Sequence, residues 1–138
     1  MGRILAIDYG RKRIGIAVTD PLKIIATGLK TVRTHEVMDF LTEYTSREEV
    51  ELIIVGHPKQ NDNTDSECMT YIYPFLSCLK KTLPHIPYRL YDERYTSVLA
   101  HRALIEVDAK QKTRRNKELI DTMSATILLE SYMNYRKI

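Results

Sequence analysis

Two apolar runs near the start of the chain are separated by a short polar segment that contains a glycine. Residues 4–7 and 14–19 are rich in the residue types that form strands, and residues 9–13 between them are typical of a turn. Two runs joined in this way predict an antiparallel β-hairpin. The first run is closed by Asp8, so the hairpin is expected to carry a carboxylate at the end of a buried strand.

The next segments alternate between strand and helix patterns. A third strand is predicted over residues 24–32, and Thr34 is predicted to cap a helix in which apolar residues recur at helical spacing. Residues 51–56 form a continuous apolar run that ends in glycine, which is typical of a strand buried on both faces.

The second half of the chain completes the predicted order of elements. A helix over residues 64–83 begins with the spacing of a capping box, a short strand follows at residues 88–91, Thr96 caps another helix, and a last helix covers residues 116–135. The order β-β-β-α-β-α-β-α-α predicts an α/β fold with a five-stranded mixed sheet, because the hairpin is antiparallel and helix-connected strands are parallel.

The size and composition of the chain fit a single globular domain over residues 1–138. The chain has 138 residues, of which 43% are apolar and 28% charged. Cys68 and Cys78 lie ten residues apart in one predicted helix, without metal-ligand spacing, so reduced thiols and no zinc site are expected. The absence of a long apolar run predicts a cytoplasmic protein with no membrane partner.

Basic residues are concentrated in two short runs, although the net charge of +3 is modest. Residues 110–117 contain five basic residues and no acid, and residues 11–13 contain three. Such runs occur both as solvated turns and as phosphate-binding surfaces, so the charge pattern alone leaves both interpretations open. The basic residues of the two runs are Arg11, Lys12, Arg13, Lys110, Lys112, Arg114, Arg115 and Lys117.

Acidic residues stand at three structurally similar places. Asp8 ends the first strand, the pair Asp92-Glu93 ends the last one, and Asp121 lies near the start of the last helix, on the face that carries Ser124 and Ala125. Structural roles are also available, since an aspartate can form a turn, pair with Lys117 one helical turn away or interact with the helix dipole.

The predicted topology allows these acids to meet. Crevices form at the carboxyl ends of parallel strands, and the start of a helix can lie over the same edge. Clustered carboxylates repel each other unless cations neutralise them, and their oxygens suit Mg²⁺ or Mn²⁺. Two such ions can activate a water and stabilise the leaving oxygen of a phosphodiester, while the basic runs hold the flanking backbone. The residues therefore predict metal-dependent chemistry on nucleic acid.

Four motifs in the sequence resemble those of the YqgF family, in the same order and over nearly the whole chain. They are residues 7–21, residues 55–58, Asp92-Glu93-Arg94-Tyr95-Thr96-Ser97 and residues 117–121. The resemblance implies an RNase H-like fold and kinship with RuvC-type Holliday junction resolvases. It also implies a role as a nuclease that matures the 5′ end of pre-16S ribosomal RNA.

Residue by residue, the resemblance implies that the catalytic and metal-binding acids are Asp8, Glu93 and Asp121, with Asp92 as a possible substitute for Glu93 because adjacent strand residues face opposite ways. The expected cofactor is Mg²⁺ or Mn²⁺, with two ions at the site. Other positions that match the family motifs are Gly10, Arg13, Gly15, Arg94, Thr96 and Lys117. His57 and the loop at residues 59–63 depart from the family pattern.

Three other functions are compatible with the same elements. The same metal centre could resolve branched DNA, for which resolvases act as dimers, and the sequence leaves open a monomer or a weak homodimer. Actin-like ATP-binding proteins also begin with a strand, an aspartate and a glycine turn, but they need a second domain for which 138 residues leave no room. A non-catalytic RNA-binding or ribosome assembly factor could keep the fold without turnover.

Overall fold

The structure is a computed structural model that describes residues 2–10, 12–57, 68–92 and 115–136. Five strands, three α-helices and a short 3₁₀ helix occupy these ranges. The strands are β1 (Arg3–Asp8), β2 (Arg13–Thr19), β3 (Ala26–Arg33), β4 (Val50–His57) and β5 (Tyr88–Asp92). The helices are the 3₁₀ helix (Thr34–Glu36), α1 (Val37–Arg47), α2 (Cys68–Thr82) and α3 (Arg115–Arg136).

The strands form one mixed sheet in the order β3-β2-β1-β4-β5. β1 pairs antiparallel with β2 and parallel with β4, β2 pairs antiparallel with β3, and β4 pairs parallel with β5. β1 is therefore the central strand, and the carboxyl ends of the three parallel strands lie at one edge of the sheet, called the carboxyl edge below. Asp8, His57 and Asp92 are the last residues of these strands.

Side chains of the central strands are buried on both faces of the sheet, which explains their nearly continuous apolar sequence. Leu5 and Ile7 contribute to a core with α1 and α2 on one face. Ile4 and Ala6 contribute to a second core with Leu128 and other residues of α3 on the opposite face, called the α3 face below. The predicted α/β fold with a five-stranded mixed sheet is confirmed.

Helix α3 packs closely on β1, β2 and β3 because small residues lie at the contact. A Cβ atom on Gly28 would overlap the side chain of Thr122 in α3. The hydroxyl groups of Thr31 and Thr122 lie 2.7 Å apart and share a hydrogen bond. Ser124 and Ala125, predicted to lie on the packing face of this helix, are buried.

The third strand begins two residues later than predicted, because Asp20 organises the segment before it. The Asp20 carboxylate accepts hydrogen bonds from the backbone N–H groups of Leu22, Ile24 and Ile25 at 3.2, 2.7 and 2.8 Å. These hydrogen bonds hold the pKa of Asp20 below its ordinary value, and the bond from Ile25 has the largest effect. The amides of Ile24 and Ile25 thus bond to a side chain, and the strand starts at Ala26.

The prediction that Thr34 caps the first helix is wrong. Thr34 is the first residue of the 3₁₀ helix, and neither that helix nor α1 has a side-chain hydrogen bond at its N-cap. The Thr34 hydroxyl donates a hydrogen bond to the carbonyl oxygen of Gly10 at 2.7 Å. The backbone N–H of Thr34 donates one to the carbonyl oxygen of Lys12 at 3.1 Å. Thr34 therefore fixes the turn between β1 and β2.

Two predicted features lie outside the described residues, namely the capping box at residues 64–67 and the helix that Thr96 would cap. Helix α2 is described from Cys68, and its residue Cys78 is a free, exposed thiol. None of the helices in the described part of the chain is long and apolar enough to cross a membrane.

Candidate functional site

Asp8 is a buried carboxylate at the carboxyl edge, and it exposes 4% of its surface. Side chains alternate along a strand, and since Ile4 and Ala6 lie on the α3 face, Asp8 lies there too. Its partners in the ladders on either side are Gly15 of β2 and Gly56 of β4. The neighbours of Asp8 on both adjacent strands therefore have no side chains, which leaves room for other groups beside its carboxylate.

Helix α3 brings Asp121 to the same place. A Cβ atom on Gly15 would overlap the backbone carbonyl oxygen of Asp121, so the helix backbone rests directly on this glycine. Gly15 is also the ladder partner of Asp8. The structure thus brings together two acids that are far apart in the sequence, because both contact the same position of β2.

Arg13 pairs with one of these two acids, Asp121. Its Nε atom donates to Oδ2 of Asp121 at 2.7 Å, in an ion pair whose side chains expose 38% for Arg13 and 17% for Asp121. Arg13 precedes Gly15 by two residues, so both lie on the α3 face. The sequence pointed to Lys117 as an ion-pair partner of Asp121, one helical turn away. The side chain of Lys117 lies outside the described part of the structure. The partner that the structure describes, Arg13, comes from β2, and no local pattern could have revealed it.

The third predicted acid, Glu93, lies outside the described residues, which end on this side at Asp92. Within the described ranges, no group of three or more His, Cys, Asp or Glu residues is placed to hold a metal ion. Asp8 and Asp121 supply carboxylate oxygens, the donor type that Mg²⁺ and Mn²⁺ prefer. This donor set fits such an ion.

Basic residues lie along the carboxyl edge around the acids. Lys12 is exposed in the turn before β2, and Arg33 is exposed at the end of β3, where it is the ladder partner of Arg13. No sequence pattern singled out Arg33, because its place beside Arg13 depends on strand pairing. Arg115 and Lys117 lie in the first turns of α3. The remaining predicted nucleic-acid-binding residues, outside the described part of the chain, are Arg11, Arg94, Thr96, Lys112 and Arg114.

Comparison with known proteins gives a family for the whole chain. Residues 2–135 match the model of the RuvX family, described as Holliday junction resolvase. A protein of Phocaeicola vulgatus is 56% identical over 137 residues, and one of Bacteroides fragilis is 56% identical over 138 residues. These alignments cover 99% of both chains in the first case and 100% in the second, and both relatives are named "putative pre-16S rRNA nuclease".

Solved structures with the same fold include two resolvases bound to DNA junctions. T. thermophilus RuvC in complex with a Holliday junction matches with a TM-score of 0.60 and 16% identity, over 98% of this chain and 96% of that one. The fowlpox virus resolvase with Holliday junction DNA matches with a TM-score of 0.55 and 14% identity, over 97% and 98% of the two chains. At these identities the likeness supports the fold alone. The chain belongs to the RuvX family, the YqgF family indicated by its motifs, and thus to a family of RNase H-like nucleases.

Proposed function

We propose that this chain hydrolyses phosphodiester bonds with the help of divalent metal, and that its substrate is precursor 16S ribosomal RNA, which it cuts during 5′-end maturation. The observation that carries the chemistry is the meeting of Asp8 and Asp121 at Gly15, on the carboxyl edge of the sheet. The substrate is supported by relatives with 56% identity over the full chain length that are named for pre-16S rRNA. Such a substrate places the protein in the cytoplasm.

Glu93 is proposed as the third acid. Tyr91, two residues before it, lies on the α3 face, where its ring packs edge-on against Tyr132 with centroids 5.7 Å apart and its hydroxyl lies 3.1 Å from that of Ser131. If the alternation of β5 continued by one residue, residue 93, rather than residue 92, would lie on the face that carries Asp8. This argument favours Glu93 over Asp92 as the ligand.

Asp8, Glu93 and Asp121 would hold one or two ions of Mg²⁺ or Mn²⁺. Such ions activate a water for attack and stabilise charge on the leaving oxygen. The chain itself keeps Asp8 shielded from solvent, and in such a place the attraction between a carboxylate and a cation is stronger than in water. The glycine beside Asp8 in β2 lets the backbone of Asp121 approach the same edge of the sheet.

Binding of the substrate backbone is proposed to depend on the basic residues around this edge. The amino end of α3, whose dipole favours anions, lies on the same side as Asp121. Phosphate contacts from these groups would fix the backbone across the acids without reading its sequence. The proposed contact residues are Arg11, Lys12, Arg13, Arg94, Thr96, Lys112, Arg114, Arg115 and Lys117.

Holliday junction resolution is the second candidate function, and the description of the matched family favours it. The two functions place different demands on the assembly. Paired cuts in a four-way junction require two sites and hence a dimer, whereas trimming of a ribosomal RNA precursor can be performed by a monomer. The oligomeric state in the presence of each substrate therefore separates them.

The test compares cleavage of a precursor 16S RNA fragment, a four-way DNA junction and single-stranded controls, each with Mn²⁺ and with a chelator. The proposal expects metal-dependent cleavage of the precursor near the mature 5′ end, and no cleavage by Asp8→Asn. Cleavage of the junction alone would replace the RNA substrate by DNA. Binding of RNA without cleavage of any substrate would contradict a hydrolytic role.

A further inference from the structure

The ion pair between Arg13 and Asp121 places a cation of the chain on a carboxylate that the proposed function assigns to a metal ion. We propose that Arg13 is an exchangeable counter-ion, which divalent metal displaces from Asp121 and which then binds a phosphate of the nucleic acid backbone. Metal binding and nucleic acid binding would thereby strengthen each other. This inference rests on the proposed function and assigns Arg13 the role of coupling its two ligands.

The position of Arg13 makes such an exchange feasible. Its side chain is 38% exposed, whereas that of Asp121 is 17% exposed. Arg13 is the first residue of β2, at the carboxyl edge and next to a turn. Its guanidinium group can therefore leave Asp121 for the solvent side of the edge without disturbing either core of the sheet.

A divalent metal ion neutralises the charges that hold Arg13 in place. Without metal, the carboxylates of Asp8 and Asp121 attract the guanidinium group, and one cation offsets part of their mutual repulsion. A divalent ion on the same carboxylates would repel a guanidinium group at hydrogen-bonding distance from Asp121. Metal binding thus removes the attraction that holds Arg13 in place.

The released side chain would join other cations. Arg33 is the ladder partner of Arg13 and is exposed, and Lys12 is exposed in the adjacent turn. Three neighbouring cations would repel one another, and a phosphate group would relieve that repulsion. The site for this phosphate would therefore be complete only when metal occupies the acids.

Thermodynamic reciprocity gives the inference a measurable consequence. If metal raises the affinity for nucleic acid by some factor, nucleic acid must raise the affinity for metal by the same factor. The exchange of one guanidinium group also corresponds to one additional phosphate contact. For single strands, one contact changes the slope of log affinity against log salt by about 0.7.

The experiment measures binding of a labelled single-stranded RNA of mixed sequence over a range of salt concentrations, with Ca²⁺ and with a chelator. Ca²⁺ has the same charge as Mg²⁺ and also binds oxygen ligands. A gel verifies that the RNA remains intact during the measurement. The wild type is compared with Arg13→Gln, and Lys80→Gln, which removes an exposed cation of α2 on the opposite face of the sheet, serves as the charge control. Ca²⁺ also acts on the RNA itself, but this effect is the same for all variants. Comparing the salt slopes of the variants at one metal concentration therefore removes it.

The salt slopes of wild type and Arg13→Gln are expected to be equal in chelator and to differ by about 0.7 with Ca²⁺. Lys80→Gln should keep the metal-dependent change of the wild type. Arg13→Lys, which retains the charge, should restore part of the difference. Equal slopes in both conditions, or a difference of the same size with and without metal, would overturn the exchange.

A second measurement separates this inference from the proposed function. Thermal unfolding is followed against Mn²⁺ concentration without RNA. The wild type should be stabilised, and Arg13→Gln should need less Mn²⁺ for the same shift because the competing cation is gone. A higher Mn²⁺ requirement in Arg13→Gln would overturn the counter-ion role alone. No stabilisation of the wild type would overturn both the metal site and the exchange.

Discussion

The backbone of Asp121 rests on the α-carbon of Gly15, where a single Cβ atom would overlap its carbonyl oxygen. Because Gly15 is also the ladder partner of Asp8, this contact sets how closely the two acids approach. The glycine is thus a spacer between helix α3 and the sheet. The relationship leads directly to the first prediction.

Replacement of Gly15 by alanine should push α3 away from the sheet and destabilise the fold. The overlap involves backbone atoms, which cannot rotate aside, so a loss of about 1–3 kcal/mol in the free energy of unfolding is expected. Stabilisation by Mn²⁺ should also weaken, since Asp121 moves relative to Asp8. Urea unfolding with and without Mn²⁺ measures both effects.

Gly28→Ala is the matched control, because Gly28 lies under the same helix but faces the side chain of Thr122. Gly28→Ala should lower the free energy of unfolding but should keep the stabilisation by Mn²⁺. A Gly15→Ala protein that retains both its stability and its Mn²⁺ response would contradict the spacer role.

Removal of single acids should abolish the metal response and cleavage while the fold is retained. Asp8→Asn and Asp121→Asn keep the shape of the side chain and lose the charge that attracts metal. At a metal concentration of a hundred times Kd, the wild type gains about 2.7 kcal/mol that these variants should lack. Glu93→Gln should lose metal stabilisation and cleavage in the same way. Asp92→Asn should reduce both to a smaller extent. Full cleavage by Asp8→Asn under controlled metal concentrations would exclude the site.

Neutralisation of Lys112, Arg114 and Arg115 should weaken binding to all nucleic acid sequences alike. Each lost phosphate contact should flatten the slope of log affinity against log salt by about 0.7 for single strands and about 0.9 for duplexes. The double variant of Lys80 and Lys81, which are exposed in the last turn of α2, is the control and should leave the slope unchanged. An unaltered slope in the first variant would make residues 110–117 a solvated turn.

Asp20 should make stability depend on pH in the acid range. Hydrogen bonds from Ile25, Ile24 and Leu22 hold its pKa in the folded protein below the ordinary value. In the unfolded chain, the Asp20 carboxylate therefore binds a proton at a higher pH, with the ordinary aspartate pKa of about 3.9. This contribution is fully present above that pH and is lost as pH falls through the folded pKa.

The measurement is urea unfolding of wild type and Asp20→Ala from neutral to acid pH. Asp20→Ala should be less stable at neutral pH and should lose less on acidification. Amide hydrogen exchange at Ile24 and Ile25 should become faster in the same variant. Asp39→Ala, which removes an exposed acid of α1, is the control for both. Identical acid unfolding of wild type and Asp20→Ala would refute the assignment.

Local patterns in the sequence were sufficient for most of the elements. The hairpin, the buried strand over residues 51–56 and the last helix follow from periodicity and turn residues, which depend on neighbours along the chain. The same patterns failed at Thr34 and before Ala26. There, side chains that resemble ordinary cap or turn residues form hydrogen bonds that depend on the folded turn of Gly10 or on the loop around Asp20.

The sequence by itself determined the order of strands and helices, the position of an acid at the end of each relevant strand, and the family. The tertiary structure decided which groups meet. Asp8 and Asp121 share Gly15 only because β1 is central and α3 crosses its carboxyl end, and Arg13 reaches Asp121 only because both face the same side of the sheet. Such contacts join residues more than a hundred positions apart, and periodicity along a chain carries no information about them.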